Sequence, residues 1–157
     1  MRSCWWRMLV RKGVKILVVD DESMIREAMR QLLEHCGCEV EAFDNGQAAL
    51  NRLAERTFDV VITDFSMPGM QGDQLVAHIR KLIPDQRIIM ATAFLEEYKV
   101  FGQPGATING LLFKPFTFRD LQDAIEAVLG PEETIQSDLL PREQKPAGRD
   151  FIPPPKT

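Results

Sequence analysis

Cysteine is scarce in this chain: Cys4, Cys36 and Cys38, at spacings that make no disulfide framework. So few thiols point to a reducing compartment. Histidine is scarcer still, and neither His35 nor His78 has a partner at metal-binding or catalytic spacing. Cys36-Gly37-Cys38 lacks a second Cys or His pair, so core packing at a helix end explains it better than zinc. No apolar run is long enough to span a bilayer. Basic charge is not in excess, for the formal net charge is -4. That argues against non-specific nucleic-acid binding, which needs clustered Lys and Arg. It argues equally against a polybasic membrane-surface protein. Around Trp5 and Trp6 there is no small-residue cleavage site, and Arg7 interrupts the apolar stretch, so no signal peptide is expected. The expectation is a cytoplasmic protein that touches neither membrane nor nucleic acid directly.

What is present falls into three textures. Residues 1–13 carry Arg2, Arg7, Arg11 and Lys12 around the two tryptophans, without a clear period. They form an N-terminal extension, expected to be disordered, and either a basic arm or the product of a start placed before Val14 would look this way. Residues 14–130 alternate apolar runs with helical stripes. Residues 131–157 are polar and proline-rich, ending in Pro153-Pro154-Pro155. Such a tail buries too little apolar surface to offset its ordering entropy and is expected to be disordered.

The middle region repeats strand then helix. Ile16–Val19, Val60–Ile62, Ile88–Met90 and Leu111–Phe113 are continuous apolar runs, as in strands buried on both faces. Val40 and Ala42 alternate with Glu39 and Glu41, which suits a half-exposed strand. Between the runs, apolar residues recur at steps of three and four: Ile25 to Cys36, Ala49 to Ala54, Leu75 to Leu82 and Leu121 to Leu129. Gly37 and Gly130 offer helix stops, and Thr117 an N-cap. Alternating strands and helices imply an α/β fold, a doubly wound parallel sheet with helices on both faces. Ligands of such sheets bind beyond the carboxyl ends of the strands.

Those ends carry one set of polar residues. Asp20 and Asp21 follow the first run, Asp64 the Val60 run, Thr92 the Ile88 run and Lys114 the Leu111 run. Taken singly, each has a plainer reading. Asp20 or Asp21 could cap a helix, Asp64 could start the Met67-Pro68-Gly69 turn, and Lys114 could be a solvated charge. Taken together they form a site. Three carboxylates repel, so Lys114 and a hard cation such as Mg²⁺ would have to neutralise them. A carboxylate can attack phosphorus to give an acyl phosphate. Phosphoryl transfer asks mainly for positioning and for neutralised oxygens.

Four stretches then resemble the receiver domain of two-component response regulators, in particular the stand-alone, chemotaxis-regulator-like kind. They are Lys15–Glu22, Asp64–Gly72, Met90–Ala93 and Phe113–Phe116. The resemblance implies a flavodoxin-like, five-stranded parallel sheet of order 2-1-3-4-5. It implies that Asp64 is the phosphoacceptor. It assigns Mg²⁺, or Mn²⁺, to Asp20, Asp21, Asp64 and the backbone carbonyl of Ser66. Thr92 would be the switch hydroxyl, Lys114 the lysine that contacts the phosphoryl group, and Pro115 a structural proline after a cis peptide bond. The donor would be a phosphohistidine on a sensor histidine kinase or histidine phosphotransfer protein. The domain would assist its own phosphorylation and dephosphorylation without being an enzyme on other substrates. It would signal through a downstream protein, with a homodimer on phosphorylation as one outcome.

The chain departs from the family pattern in places. Leu111 stands where an aromatic switch residue is usual, so altered switching is expected. Gly102-Gln103-Pro104-Gly105 falls where a fourth helix should end, which predicts a shortened or mobile helix. Phe94, two residues past Thr92, is expected to slow hydrolysis of the phosphoryl group. The 27 residues after Gly130 (157 − 130) are too few for a DNA-binding domain, so output through protein contacts is expected. Two alternatives compete. A haloacid-dehalogenase-like phosphatase would place its nucleophile after the first strand with a second Asp two residues later, where this chain has Glu22. A degenerate receiver used as a scaffold would not need all five site residues.

Overall fold

The computed structural model describes residues 12–94, 96 and 105–130. Among the described residues, five strands and four helices follow one another: β1 (Lys15–Val19), α1 (Ser23–His35), β2 (Glu39–Phe43), α2 (Gly46–Glu55), β3 (Val60–Asp64), α3 (Gly72–Leu82), β4 (Arg87–Thr92), β5 (Gly110–Phe113) and α4 (Phe118–Leu129). The strands form one parallel sheet in the order β2-β1-β3-β4-β5. The sequence-based expectation of a doubly wound, flavodoxin-like sheet therefore holds, including its strand order.

The alternation of side chains along each strand explains the two faces. Ile16, Val18, Ile62 and Ile89 point to one side and pack with Met29 and Leu33 of α1 and Leu121 and Ile125 of α4. Leu17, Val19, Val61, Ile88 and Met90 point to the other and meet Ala49 and Leu53 of α2 and Leu75 and Ile79 of α3. Burying one Leu or Ile side chain contributes about 1.5–3 kcal/mol. Both faces of β1, β3 and β4 are covered, so these strands read as unbroken apolar runs. The edge strand β2 is different. Its Glu41 accepts hydrogen bonds from Arg52 and Arg56 at the surface.

Local chemistry sets the helix ends. Gly37 has φ +88°, the left-handed turn that ends α1 and that a side chain would resist. Thr117 caps α4 reciprocally with Asp120: the hydroxyl accepts from Asp120 N at 3.2 Å, and the carboxylate accepts from Thr117 N at 2.7 Å. The N-cap of α1 is Glu22, not Asp20 or Asp21. Asp64 and Thr92 are the last residues of β3 and β4, which run two residues past the apolar runs Val60–Ile62 and Ile88–Met90 instead of ending before them.

β1 lies between β2 and β3, so the chain winds to one side of β1 and then to the other. Asp20 and Asp64 follow or end the two strands flanking that switch point, where a crevice opens. Of the expected N-terminal extension only Lys12 and Gly13 are described. The expected tail 131–157 and residues 98–104, where a shortened or mobile helix is expected, lie outside the described residues.

Candidate functional site

Each site residue is fixed by backbone geometry before any side chain acts. The Asp20 amide donates to Phe43 O at 3.1 Å, extending β1 by one residue. Asp20 Oδ1 accepts from Glu22 N at 2.9 Å, and Arg26 Nη1 donates to the Asp20 carbonyl at 2.6 Å. These two contacts hold the turn that carries Asp20, which is fully buried, and Asp21, which is exposed.

Asp64 lies at the end of β3 and is buried. The amide of Phe65 continues the ladder to Ala91 O at 2.8 Å, and Gly72 N returns to Phe65 O at 2.8 Å. The first residue of α3 is thereby pressed onto the acidic strand end. A Cβ at Gly72 would overlap the Asp64 carbonyl oxygen and come within 2.8 Å of Phe65 Cα.

Lys114 arrives from β5, its amide bonded to Thr92 O at 2.9 Å. Its Nζ lies 3.0 Å from Asp20 Oδ2, 3.1 Å from Asp64 Oδ1 and 3.5 Å from Glu22 Oε1. The Lys114-Pro115 peptide bond is cis.

The charges do not balance. Asp20, Asp21 and Asp64 each bring one carboxylate oxygen to within 4.8 Å of the others. One lysine faces three carboxylates. Burial, and then the charge of Asp20, push the Asp64 carboxyl up to about 6. Burial alone would lower the Lys114 ammonium, but the hydrogen bond and charge of Asp20 and the charge of Asp64 outweigh it and raise it. Three hard oxygen donors with residual negative charge, and neither sulfur nor imidazole among them, suit a small divalent cation.

A cavity of about 410 Å³ opens over the carboxylates, lined by Asp64, Ser66, Thr92, Phe94 and Lys114 among others. Asp20, Asp21, Asp64 and Lys114 are thus brought into contact range, with Ser66 and Thr92 on the cavity wall. The Thr92 hydroxyl faces its own loop: it accepts from Phe94 N at 3.1 Å and lies 3.2 Å from Phe94 O. Phe94 is 62% exposed at the mouth. Leu111 packs into the α2–α3 core layer, whereas Phe113 is exposed.

Sequence reasoning assigned no role to Glu22, Arg26 or Gly72. Glu22 was visible as the third acid of an Asp-Asp-Glu run. Gly72 stood at the end of a quoted motif without a stated reason. Arg26 gave no signal, since an arginine on a helix reads as solvated.

The sheet is thus doubly wound and flavodoxin-like, with an acidic triad and a lysine at its switch point, where such folds bind their ligands. The model of the response regulator receiver domain family matches residues 16–126. The chain is 35% identical over 126 residues to the chemotaxis protein CheY-3 of Vibrio cholerae serotype O1, covering 76% of this chain and 95% of that protein. Among solved structures it resembles the chemotaxis response regulator CheY4 of Vibrio cholerae (32% identity, TM-score 0.69, covering 75% of this chain and all of that one). It also resembles the response regulator TrrA of Thermotoga maritima, solved in complex with Mg(2+)-BeF (32% identity, TM-score 0.66, covering 74% and 99%).

The chain belongs to the response regulator receiver domain family of two-component signal transduction, whose members are phosphoacceptor signalling domains. The phosphatase alternative finds no support in these matches.

Proposed function

We propose that Asp64 accepts a phosphoryl group from a phosphohistidine, on a sensor histidine kinase or histidine phosphotransfer protein, and that the modified site reshapes a protein-binding surface. The observation that carries this reading is the convergence of the Asp20, Asp21 and Asp64 carboxylates within 4.8 Å around a lysine. In the step, an Asp64 carboxylate oxygen forms a bond to phosphorus while the bond from phosphorus to the donor imidazole nitrogen breaks. The electron pair of that bond returns to the imidazole.

Asp20, Asp21, Asp64 and the Ser66 carbonyl would hold Mg²⁺ or Mn²⁺, which supplies neutralisation of the phosphoryl oxygens when bound. Lys114 offers its ammonium to the same group. Thr92 would leave its loop partner Phe94 and donate its hydroxyl. Phe94, at the mouth, restricts attacking water. The complex of TrrA with Mg(2+)-BeF supports a metal in this kind of site.

Output runs through a downstream protein, in the cytoplasm. Among the described residues no helix is long and apolar enough to cross a membrane.

The test is intact mass after incubation with Mg²⁺ and a small-molecule acyl phosphate. One added phosphoryl group is expected, and it should be absent in chelator and in Asp64→Ala. An adduct that persists in Asp64→Ala would reject the assignment.

A further inference from the structure

We propose that Glu22 is a positioning residue of the acceptor site: its carboxylate holds back the Lys114 ammonium and competes with the phosphoryl group for it. This role presupposes that Asp64 is the acceptor. It adds a fourth acid to the site, one that tunes the lysine and holds no cation.

Glu22 stands at the N-cap of α1, yet its side chain makes no cap hydrogen bond. Ser, Thr, Asp and Asn are the residues that satisfy the free amides of a helix start. The backbone of Glu22 is tied without its side chain: its amide donates to Asp20 Oδ1 at 2.9 Å, and its carbonyl accepts from Arg26 N at 2.9 Å. The carboxylate is therefore not used by the turn. It reaches Lys114 instead, with Oε1 3.5 Å from Nζ. Both residues line the acceptor cavity.

An ammonium has three N–H donors. Asp20 Oδ2 at 3.0 Å, Asp64 Oδ1 at 3.1 Å and Glu22 Oε1 at 3.5 Å stand around those of Lys114. Asp20 and Asp64 belong to the three carboxylates that converge within 4.8 Å of one another, and Glu22 stands outside them. When a cation or a phosphoryl group engages Asp20 and Asp64, Glu22 keeps its charge and stays beside the lysine. A phosphoryl oxygen that draws on Lys114 must then win it from Glu22.

Glu22 is the weakest of the three holders. Its contact is the longest, and its side chain is 60% exposed where that of Asp20 is fully buried. Water screens such a pair, so its effect on the lysine is several-fold and not orders of magnitude. A bare surface charge would act differently, by repelling the approaching anion with or without Lys114.

The test compares variants of the full chain in Mg²⁺. Phosphorylation by a small-molecule acyl phosphate is followed by intact mass, and beryllofluoride binding by fluorine NMR. Glu22→Gln keeps the length and loses the charge; it should be phosphorylated several-fold faster and bind beryllofluoride several-fold more tightly. Glu22→Asp keeps the charge but is one methylene short of Lys114, and should follow Gln. In a Lys114→Met background the difference between Glu and Gln at position 22 should vanish. A Gln variant no faster than the unaltered chain, an Asp variant that behaves like Glu while Gln is faster, or a Gln gain that survives Lys114→Met would each overturn the proposal. An adduct that forms equally in all position-22 variants would reject the role of Glu22 alone. Absence of an adduct from every chain would reject the acceptor assignment and this role with it.

Discussion

Lys114 Nζ lies 3.1 Å from Asp64 Oδ1 and bridges the ends of two strands that are not neighbours in the sheet, β3 and β5. The same ammonium reaches Asp20, so one cation ties three strands together at their carboxyl ends. It still leaves the carboxylates undercompensated, and the first two expectations follow from that excess of negative charge.

Asp64→Asn should stabilise the metal-free protein near pH 7.5. The folded protein holds the Asp64 proton up to about pH 6, against an ordinary value of 3.8. Folding therefore becomes less favourable as pH rises from about 4 to about 6, because the folded state is forced to ionise a group that the unfolded state ionises readily. Removing that charge should add up to about 3 kcal/mol. Chemical denaturation in chelator, with and without the substitution, checks it. The Asn variant should also lose the downward trend of stability between pH 4 and 6.

Divalent-cation binding should weaken in acid. Ligating carboxylates must be ionised, so protons compete with the metal. With Asp64 titrating at about 6, apparent Mg²⁺ affinity should be nearly flat above pH 7 and fall by about tenfold per unit below pH 6. Calorimetric titration at several pH values measures this.

Arg26→Ala should lower Mg²⁺ affinity by about tenfold while costing little fold stability. The Arg26 guanidinium donates to the Asp20 carbonyl at 2.6 Å and so fixes the turn that presents both acids. Arg26→Lys, which can still reach a carbonyl, should recover part of the loss. A melting temperature that drops with the metal affinity unchanged would assign Arg26 to packing alone.

Gly72→Ala should cost about 1–3 kcal/mol, because the new methyl meets backbone rather than a side chain that can turn away. Either β3 or the start of α3 must shift, so the acceptor strand end moves with it. Both a lower denaturation midpoint and weaker Mg²⁺ binding are expected. Gly69→Ala is the control. It has open space around it and a φ of +77°, so it should cost about 1 kcal/mol or somewhat more from backbone strain alone and leave the metal site intact.

Much of this was legible in the sequence, for a physical reason. Ile16–Val19, Val60–Ile62 and Ile88–Met90 are covered on both faces, so every residue must be apolar and the run declares itself. A polar residue within two positions of the end of such a run stands out, which is how Asp20, Asp64, Thr92 and Lys114 emerged as one set. The strand order did not come from pattern, because the pattern does not say on which side of β1 the chain winds first; the family resemblance supplied it. Contacts to backbone were invisible. Arg26 on the Asp20 carbonyl and Arg80 on the carbonyls of Pro84, Gln86 and Thr107 involve no complementary residue type that could be read from the sequence. The turn of the Thr92 hydroxyl toward Phe94 depends on loop conformation and left no trace in composition either.

Asp64 is the proposed acceptor of the phosphoryl group. After phosphorylation with Mg²⁺, borohydride reduction converts an aspartyl phosphate into homoserine, and peptide mass spectrometry locates it. Homoserine at position 64 is the expected result. Homoserine at Asp20 or Asp21, or a phosphoryl group that resists borohydride and maps to Ser66 or Thr92, would contradict the account.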